Sequence, residues 1–189
     1  MENKKPIIIG IGSGRCGTVS LSKLLDIPHE PWPLLPWIVS ERLFKKHLPL
    51  IEAEGGAVAL YYLNYIDKLF GKFSDRLKIV CLQRVMDETI ESFIRKTQGK
   101  NYWRDNINEW SEVFPYYKDL YIWEAIRKYW WNYYQKAEKW QEKLPDNFKI
   151  FDMERLNFEE GQKEIIDFCG IDRPIISNAK FNITNFYNN

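Results

Sequence analysis

The chain is poor in the residues that do most chemistry near neutral pH. Among 189 residues it has two histidines, His29 and His47, and three cysteines, Cys16, Cys81 and Cys169. The cysteines are odd in number and far apart, with no Cys-x-x-Cys pair. That excludes a disulfide framework or a thiolate metal site and leads us to expect reduced thiols in a cytoplasmic protein. No stretch approaches the ~20 apolar residues of a transmembrane helix. The short apolar run behind Met1-Glu2-Asn3-Lys4-Lys5 is soon interrupted by glycine and arginine, unlike a secretory signal. An excess of charge is also lacking, since 27 Lys+Arg against 26 Asp+Glu leaves +1. This balance argues against bulk attraction to nucleic acid or an anionic membrane, so any anion site must be local. No repeat, low-complexity run or linker divides the chain, and its length suits one domain over 1–189.

Aromatic residues are abundant, at 16% of the chain, and cluster in 102–140. Most are expected in the core, the rest lining an apolar acceptor cleft. Periodicity and breakers predict strands at 6–11, 57–62 and 78–82, and helices at 18–25, 37–54, 65–72 and 87–97. Asn64 is the expected cap of the third helix. Pro28, Pro31, Pro33 and Pro36 break 28–36 into a loop or short extended piece. Residues 98–118 read as irregular or as one short helix, a length that is often functional. The region 119–144 is the most regular helix. Trp123, Ile126, Trp130, Tyr133, Ala137, Trp140 and Leu144 step along one face as core packing, and Pro145-Asp146-Asn147 ends it. Phe148 to Asp152 forms a late strand, followed by a helix from Gln162 to Cys169. Short strands alternating with helices predict an α/β three-layer domain with a central, mainly parallel sheet flanked by helices.

The most informative segment is Ile7-Ile8-Ile9-Gly10-Ile11-Gly12-Ser13-Gly14-Arg15-Cys16-Gly17-Thr18-Val19. A buried strand feeds a glycine-rich turn that opens a helix. In such a turn the backbone N–H groups of Gly14, Cys16, Gly17 and Val19 can face an anion, aided by the positive end of the helix. The nucleotide-hydrolase loop G-x-x-x-x-G-K-[ST] needs lysine and a hydroxyl after its last glycine. Here Thr18-Val19 stands there, and the cation, Arg15, lies inside the turn. The segment reads as a loop for an anion that needs no metal. Further on, Lys78-Ile79-Val80-Cys81-Leu82 is a buried parallel strand ending in Gln83-Arg84, with Ser92 eight residues beyond Arg84. A strand-end arginine offers a two-pronged fork to phosphate. A serine two turns along the departing helix can fold back to the same oxygens.

Together these segments resemble the sulfotransferase family that uses 3′-phosphoadenosine-5′-phosphosulfate (PAPS), in particular its small soluble microbial members. Arg15-Cys16-Gly17-Thr18-Val19 is similar to the family's 5′-phosphosulfate loop, and Arg84 with Ser92 to its 3′-phosphate pair. Phe148 to Leu156 and Phe168-Cys169-Gly170 are similar to its late strand and following helix, so the likeness spans roughly 6–171. It implies a P-loop-type domain that moves a sulfuryl group from PAPS to a hydroxyl or amine of a small-molecule or carbohydrate acceptor. The product would be adenosine 3′,5′-bisphosphate, with no metal involved. Arg15 would hold the leaving phosphate, Gly14, Arg15, Cys16, Gly17, Thr18 and Val19 the 5′-phosphate, and Arg84 and Ser92 the 3′-phosphate. Glu30, followed by His29, is the expected base, with Asp67 and Glu124 as further candidates. His47, beside Lys45 and Lys46, reads as a solvated histidine. Three departures stand out. Val19 replaces a hydroxyl residue, whose contact is lost or moved to Ser20. Met86 replaces a proline. The terminal stretch from Phe181 to Asn189 has no glycine where the family closes over the nucleotide. The alternatives are a non-catalytic nucleotide-binding protein of the same fold and a P-loop kinase. The kinase would need the absent Lys-Ser/Thr and an acidic magnesium residue.

Overall fold

Every residue of β1 (Ile7–Gly12) is buried, as expected of an isoleucine run with helices over both of its faces. The computed structural model describes residues 5–30, 41–104 and 114–176. Within them β1 is followed by α1 (Thr18–Leu25), α2 (Glu41–Ala53), β2 (Gly56–Val58), α3 (Ile66–Phe73) and β3 (Leu77–Gln83). The chain continues through α4 (Met86–Thr97), α5 (Ile122–Lys143), β4 (Phe148–Asp152) and α6 (Glu159–Cys169). Among the described residues the sheet has four strands in the order β2-β1-β3-β4, all parallel. Ile7, Ile9 and Ile11 face a core shared with α2, α3, α4 and α5. Ile8, Val80 and Leu82 face the opposite side, packed on Leu21, Leu24 and Leu25 of α1 and on Ile165 and Ile166 of α6. The fold is therefore α/β, a parallel sheet flanked by helices.

This topology determines where a ligand can sit. From β1 the chain moves to β2 on one side and then returns to β3 on the other. The connections after β1 and β3 diverge at their C-terminal ends and leave a crevice between them. Gly12 pairs with Leu82 across those two strands, so the glycine-rich turn and Gln83-Arg84 emerge side by side.

Several local expectations need correction. The second strand ends at Val58, and Leu60–Tyr65 forms a 3-10 turn instead, because Tyr61, Tyr62 and Leu63 all reach the core in that conformation. Asn64 does not cap α3. Tyr65 holds the cap position without a side-chain bond, and the Asn64 amide oxygen accepts from Lys136 Nζ at 2.8 Å. His47 is not solvated but only 8% exposed. It shares the inward face of α2 with Phe44 and Ile51, and burial lowers its pKa. Trp123 departs from the inward stripe of α5 and is 44% exposed, with the Arg127 guanidinium over its ring at 5.4 Å. Leu144 closes α5 as its C-cap. In the irregular region Trp103 is fully buried and stacks edge-on with Phe93 at 5.3 Å, so this part of it is core. Pro31, Pro33, Pro36, the start of the 37–54 helix, residues 105–113 of the 98–118 region and the tail from Phe181 lie outside the described residues.

Candidate anion-binding site

The turn after β1 is built for its conformation. Gly14, Arg15 and Gly17 all have positive φ, at 87°, 57° and 86°. Glycine adopts this region freely, whereas Arg15 occupies it at a cost of ~1–3 kcal/mol. Gly17 is the N-cap of α1 and supplies no side-chain cap, leaving the first helical N–H groups open to an anion. Gly12 serves a different purpose from the expected close approach to a ligand. A Cβ there would overlap the Cys16 sulfur and lie 2.8 Å from the Leu82 carbonyl oxygen, so this glycine allows the loop to fold onto β3. Cys16 is fully buried, and burial pushes its thiol up to about 11. At neutral pH it is a neutral packing group and not a nucleophile.

The two segments singled out in the sequence meet here. Arg15 Nε donates to Ser92 Oγ at 3.1 Å. Arg84 Nη1 donates to the Arg15 carbonyl oxygen at 3.2 Å, and Arg84 Nε donates to Glu88 Oε2 at 3.0 Å. Burial, and then the nearby Arg84 and Arg95 cations, hold the Arg15 guanidinium below the usual arginine range. Three guanidiniums crowded in this way repel one another, and a bound anion would relieve that repulsion. Arg95 was not anticipated. Its signal was its position three residues after Ser92, on the same face of α4.

The remaining candidates divide around the turn. Val19 is 49% exposed and Ser20 is buried at 4%, so Thr18 supplies the more accessible hydroxyl next to the turn. His29 Nε2 lies 3.1 Å from Thr18 Oγ1. Pro28 to Glu30 run alongside β2, with the Val58 N–H bonded to the Pro28 carbonyl and the Glu30 N–H to the Val58 carbonyl, each at 2.8 Å. Glu30 is exposed at φ 43°, and its charge acts on the buried Tyr61. Two other base candidates serve elsewhere. Glu124 Oε2 accepts the Tyr121 N–H at 3.0 Å in a capping box, and the charge of Asp67 acts on Lys136.

Beside the turn is a groove of about 220 Å³ whose lining includes Arg84, Glu88, Asp152 and Met153. Met153 also packs under Gly17, where a Cβ would meet its Cγ at 3.0 Å. A larger groove of about 620 Å³ lies at the opposite edge of the sheet. Ion pairs of 2.6 Å between Arg76 and Glu52 and 2.7 Å between Arg173 and Asp26 tie up its arginines. What distinguishes the smaller groove is its place at the C-terminal strand ends beside the turn, since its Arg84 is likewise paired, with Glu88 at 3.0 Å, and Asp152 and Glu154 also line it.

An anion reaching Arg84 must share it with the half-exposed Glu88 carboxylate. Glu88→Gln removes a like charge and is expected to tighten binding of inorganic pyrophosphate about two- to fivefold, the scale of a single exposed ion pair. A calorimetric titration giving unchanged or weaker binding would show that Glu88 does not compete for Arg84. Compared with protein-family models, curated proteins and solved structures, the chain gave no match.

Proposed function

We propose that this chain is a PAPS-dependent sulfotransferase with a P-loop-type site, transferring a sulfuryl group to an acceptor hydroxyl or amine. The observation that carries this reading is the junction of Arg15, Ser92 and Arg84, where Arg15 bonds Ser92 at 3.1 Å and Arg84 bonds the Arg15 carbonyl at 3.2 Å. Two sequence segments that each resemble one phosphate site of PAPS thus converge on a single edge of the sheet.

In this reading the loop N–H groups, the Thr18 hydroxyl and Arg15 bind the 5′-phosphate. Arg84 and Ser92 bind the 3′-phosphate and set the register of the donor. The acceptor oxygen or nitrogen attacks sulfur, and the bond from sulfur to the bridging phosphate oxygen breaks. Its electron pair stays on the phosphate, where Arg15 and the helix end stabilise the growing charge. The acceptor proton passes to His29 or Glu30. The rest of catalysis is positioning, as in phosphoryl transfer.

The direct test is transfer of label from PAPS to a panel of alcohols, phenols, sugars and amines, with and without a chelator. Binding is tested separately by thermal melting. Adenosine 3′,5′-bisphosphate at a hundred times its Kd adds about 2.7 kcal/mol of stability, and ATP should add less. Equal shifts for the two ligands, or activity that a chelator abolishes and magnesium restores, would overturn the reading. A second reading is a non-catalytic protein that binds the same nucleotide. It predicts the bisphosphate shift with no transfer to any acceptor.

A further inference from the structure

Four neighbouring side chains of α5 donate to four backbone carbonyls at the C-terminal edge of the sheet. Tyr129 Oη donates to the Ser13 carbonyl at 3.0 Å, and Trp130 Nε1 to the Arg84 carbonyl at 3.0 Å. Tyr133 Oη donates to the Leu60 carbonyl at 3.0 Å, and Tyr134 Oη to the Leu82 carbonyl at 2.7 Å. The Ser13, Arg84 and Leu60 carbonyls lie one or two residues past the ends of β1, β3 and β2, and the Leu82 carbonyl is on the penultimate residue of β3. Tyr134 also lies 3.2 Å from Ser13 Oγ. With the Tyr134 proton on Leu82, the one Ser13 hydroxyl proton is shared between Tyr134 Oη and the Gly14 carbonyl at 3.4 Å. The Ser13 N–H points to the same hydroxyl at 3.5 Å.

We propose that α5 is the template of the loop, with Tyr129 and Tyr134 as positioning residues that hold the Ser13 peptide so that the following N–H groups face outward. This deepens the functional reading above and rests on it for the identity of the anion. Ser13 is fully buried and directly precedes the left-handed pair Gly14 and Arg15. Fixing its carbonyl with Tyr129, and its hydroxyl and N–H with Tyr134, prevents the peptide from rotating. The turn then keeps its shape without a ligand, and binding does not have to order it. Tyr129 and Tyr134 are 4% and 2% exposed, so a lost hydroxyl would leave the Ser13 or Leu82 carbonyl buried without its partner. Phenylalanine in these places would serve packing equally well, and the hydroxyls are what it lacks.

The test uses Tyr129→Phe, Tyr134→Phe and their combination, with Tyr117→Phe as a control whose hydroxyl accepts from Asn132. Two readouts are taken, the amide resonances of Gly14 and Gly17 in the ligand-free protein and the affinity for inorganic pyrophosphate. Folded Tyr129→Phe and Tyr134→Phe should each shift or broaden the loop amides and weaken pyrophosphate on the order of tenfold, the cost of one orphaned buried carbonyl. Tyr117→Phe should do neither. Native amide positions and native affinity in both single variants would overturn the template. A lower melting temperature with unchanged loop amides would likewise make the hydroxyls merely structural. If the combined variant does not fold, the single variants decide. If the unmodified protein fails to bind pyrophosphate, affinity is read with adenosine 3′,5′-bisphosphate instead; if it binds neither, the sulfotransferase reading falls, while the ligand-free amides still judge the template.

Discussion

His29→Ala is expected to lower sulfuryl transfer by ~10²–10⁴, the usual contribution of a positioned base, while leaving affinity for adenosine 3′,5′-bisphosphate nearly unchanged. The reason is placement. The bridge between His29 and Val58 fixes the backbone beside β2, and the ring reaches Thr18 Oγ1 at 3.1 Å. The imidazole therefore lies where the loop enters α1, beside the proposed 5′-phosphate. Glu30 follows it, exposed and at positive φ. The paired measurement is turnover of Glu30→Gln under the same conditions. Loss with Glu30→Gln and retention with His29→Ala would make the carboxylate the base. Retention in both would send the search to residues 98–118, since Glu124 is committed to its cap and Asp67 lies by Lys136. A parallel loss of bisphosphate affinity in His29→Ala would mean that the ring shapes the loop and does not move the proton.

Arg84→Ala is expected to weaken the bisphosphate by roughly 1.5–3 kcal/mol, the scale of a charge-assisted bond, or about ten- to a hundred-and-fifty-fold. Adenosine 5′-phosphosulfate, which lacks the 3′-phosphate, should weaken less. It will still weaken somewhat, because Arg84 also holds the Arg15 carbonyl at 3.2 Å. Arg84→Lys sharpens the test, since it keeps the charge but loses the planar fork that reaches phosphate and carbonyl together. Titration of both ligands against both variants gives the outcome. Equal weakening of the two ligands would assign Arg84 to the loop alone and remove it from the 3′-phosphate site.

Much of the sheet could be read directly from the chain. A run such as Ile7-Ile8-Ile9 has few ways to be stable except as a strand covered on both faces, and Thr18 to Leu25 has both a glycine before it and an apolar face. The α5 stripe was legible for the same reason, with Ile126, Tyr133 and Ala137 all buried. The errors came where local preference was weak. The strand expected over 57–62 ends at Val58 and gives way to a 3-10 turn from Leu60, and His47 looked solvated beside two lysines although its helix position turned it inward.

The local sequence determined the glycine turn, the arginine inside it and the strand-end arginine with its serine, because each depends on residue types a few positions apart. Only the tertiary structure decided that they share one place, because β3 returns beside β1 and pairs Leu82 with Gly12. It also decided the roles of Arg95, Trp130 and the three tyrosine hydroxyls of α5. Their partners lie far away in the chain, and hydrogen bonds to backbone carbonyls leave no mark in the partner's residue type. The stripe read from the chain passes over Tyr129 and Tyr134, so their burial, like the carbonyls that need their hydroxyls, appears only when α5 packs across the strand ends.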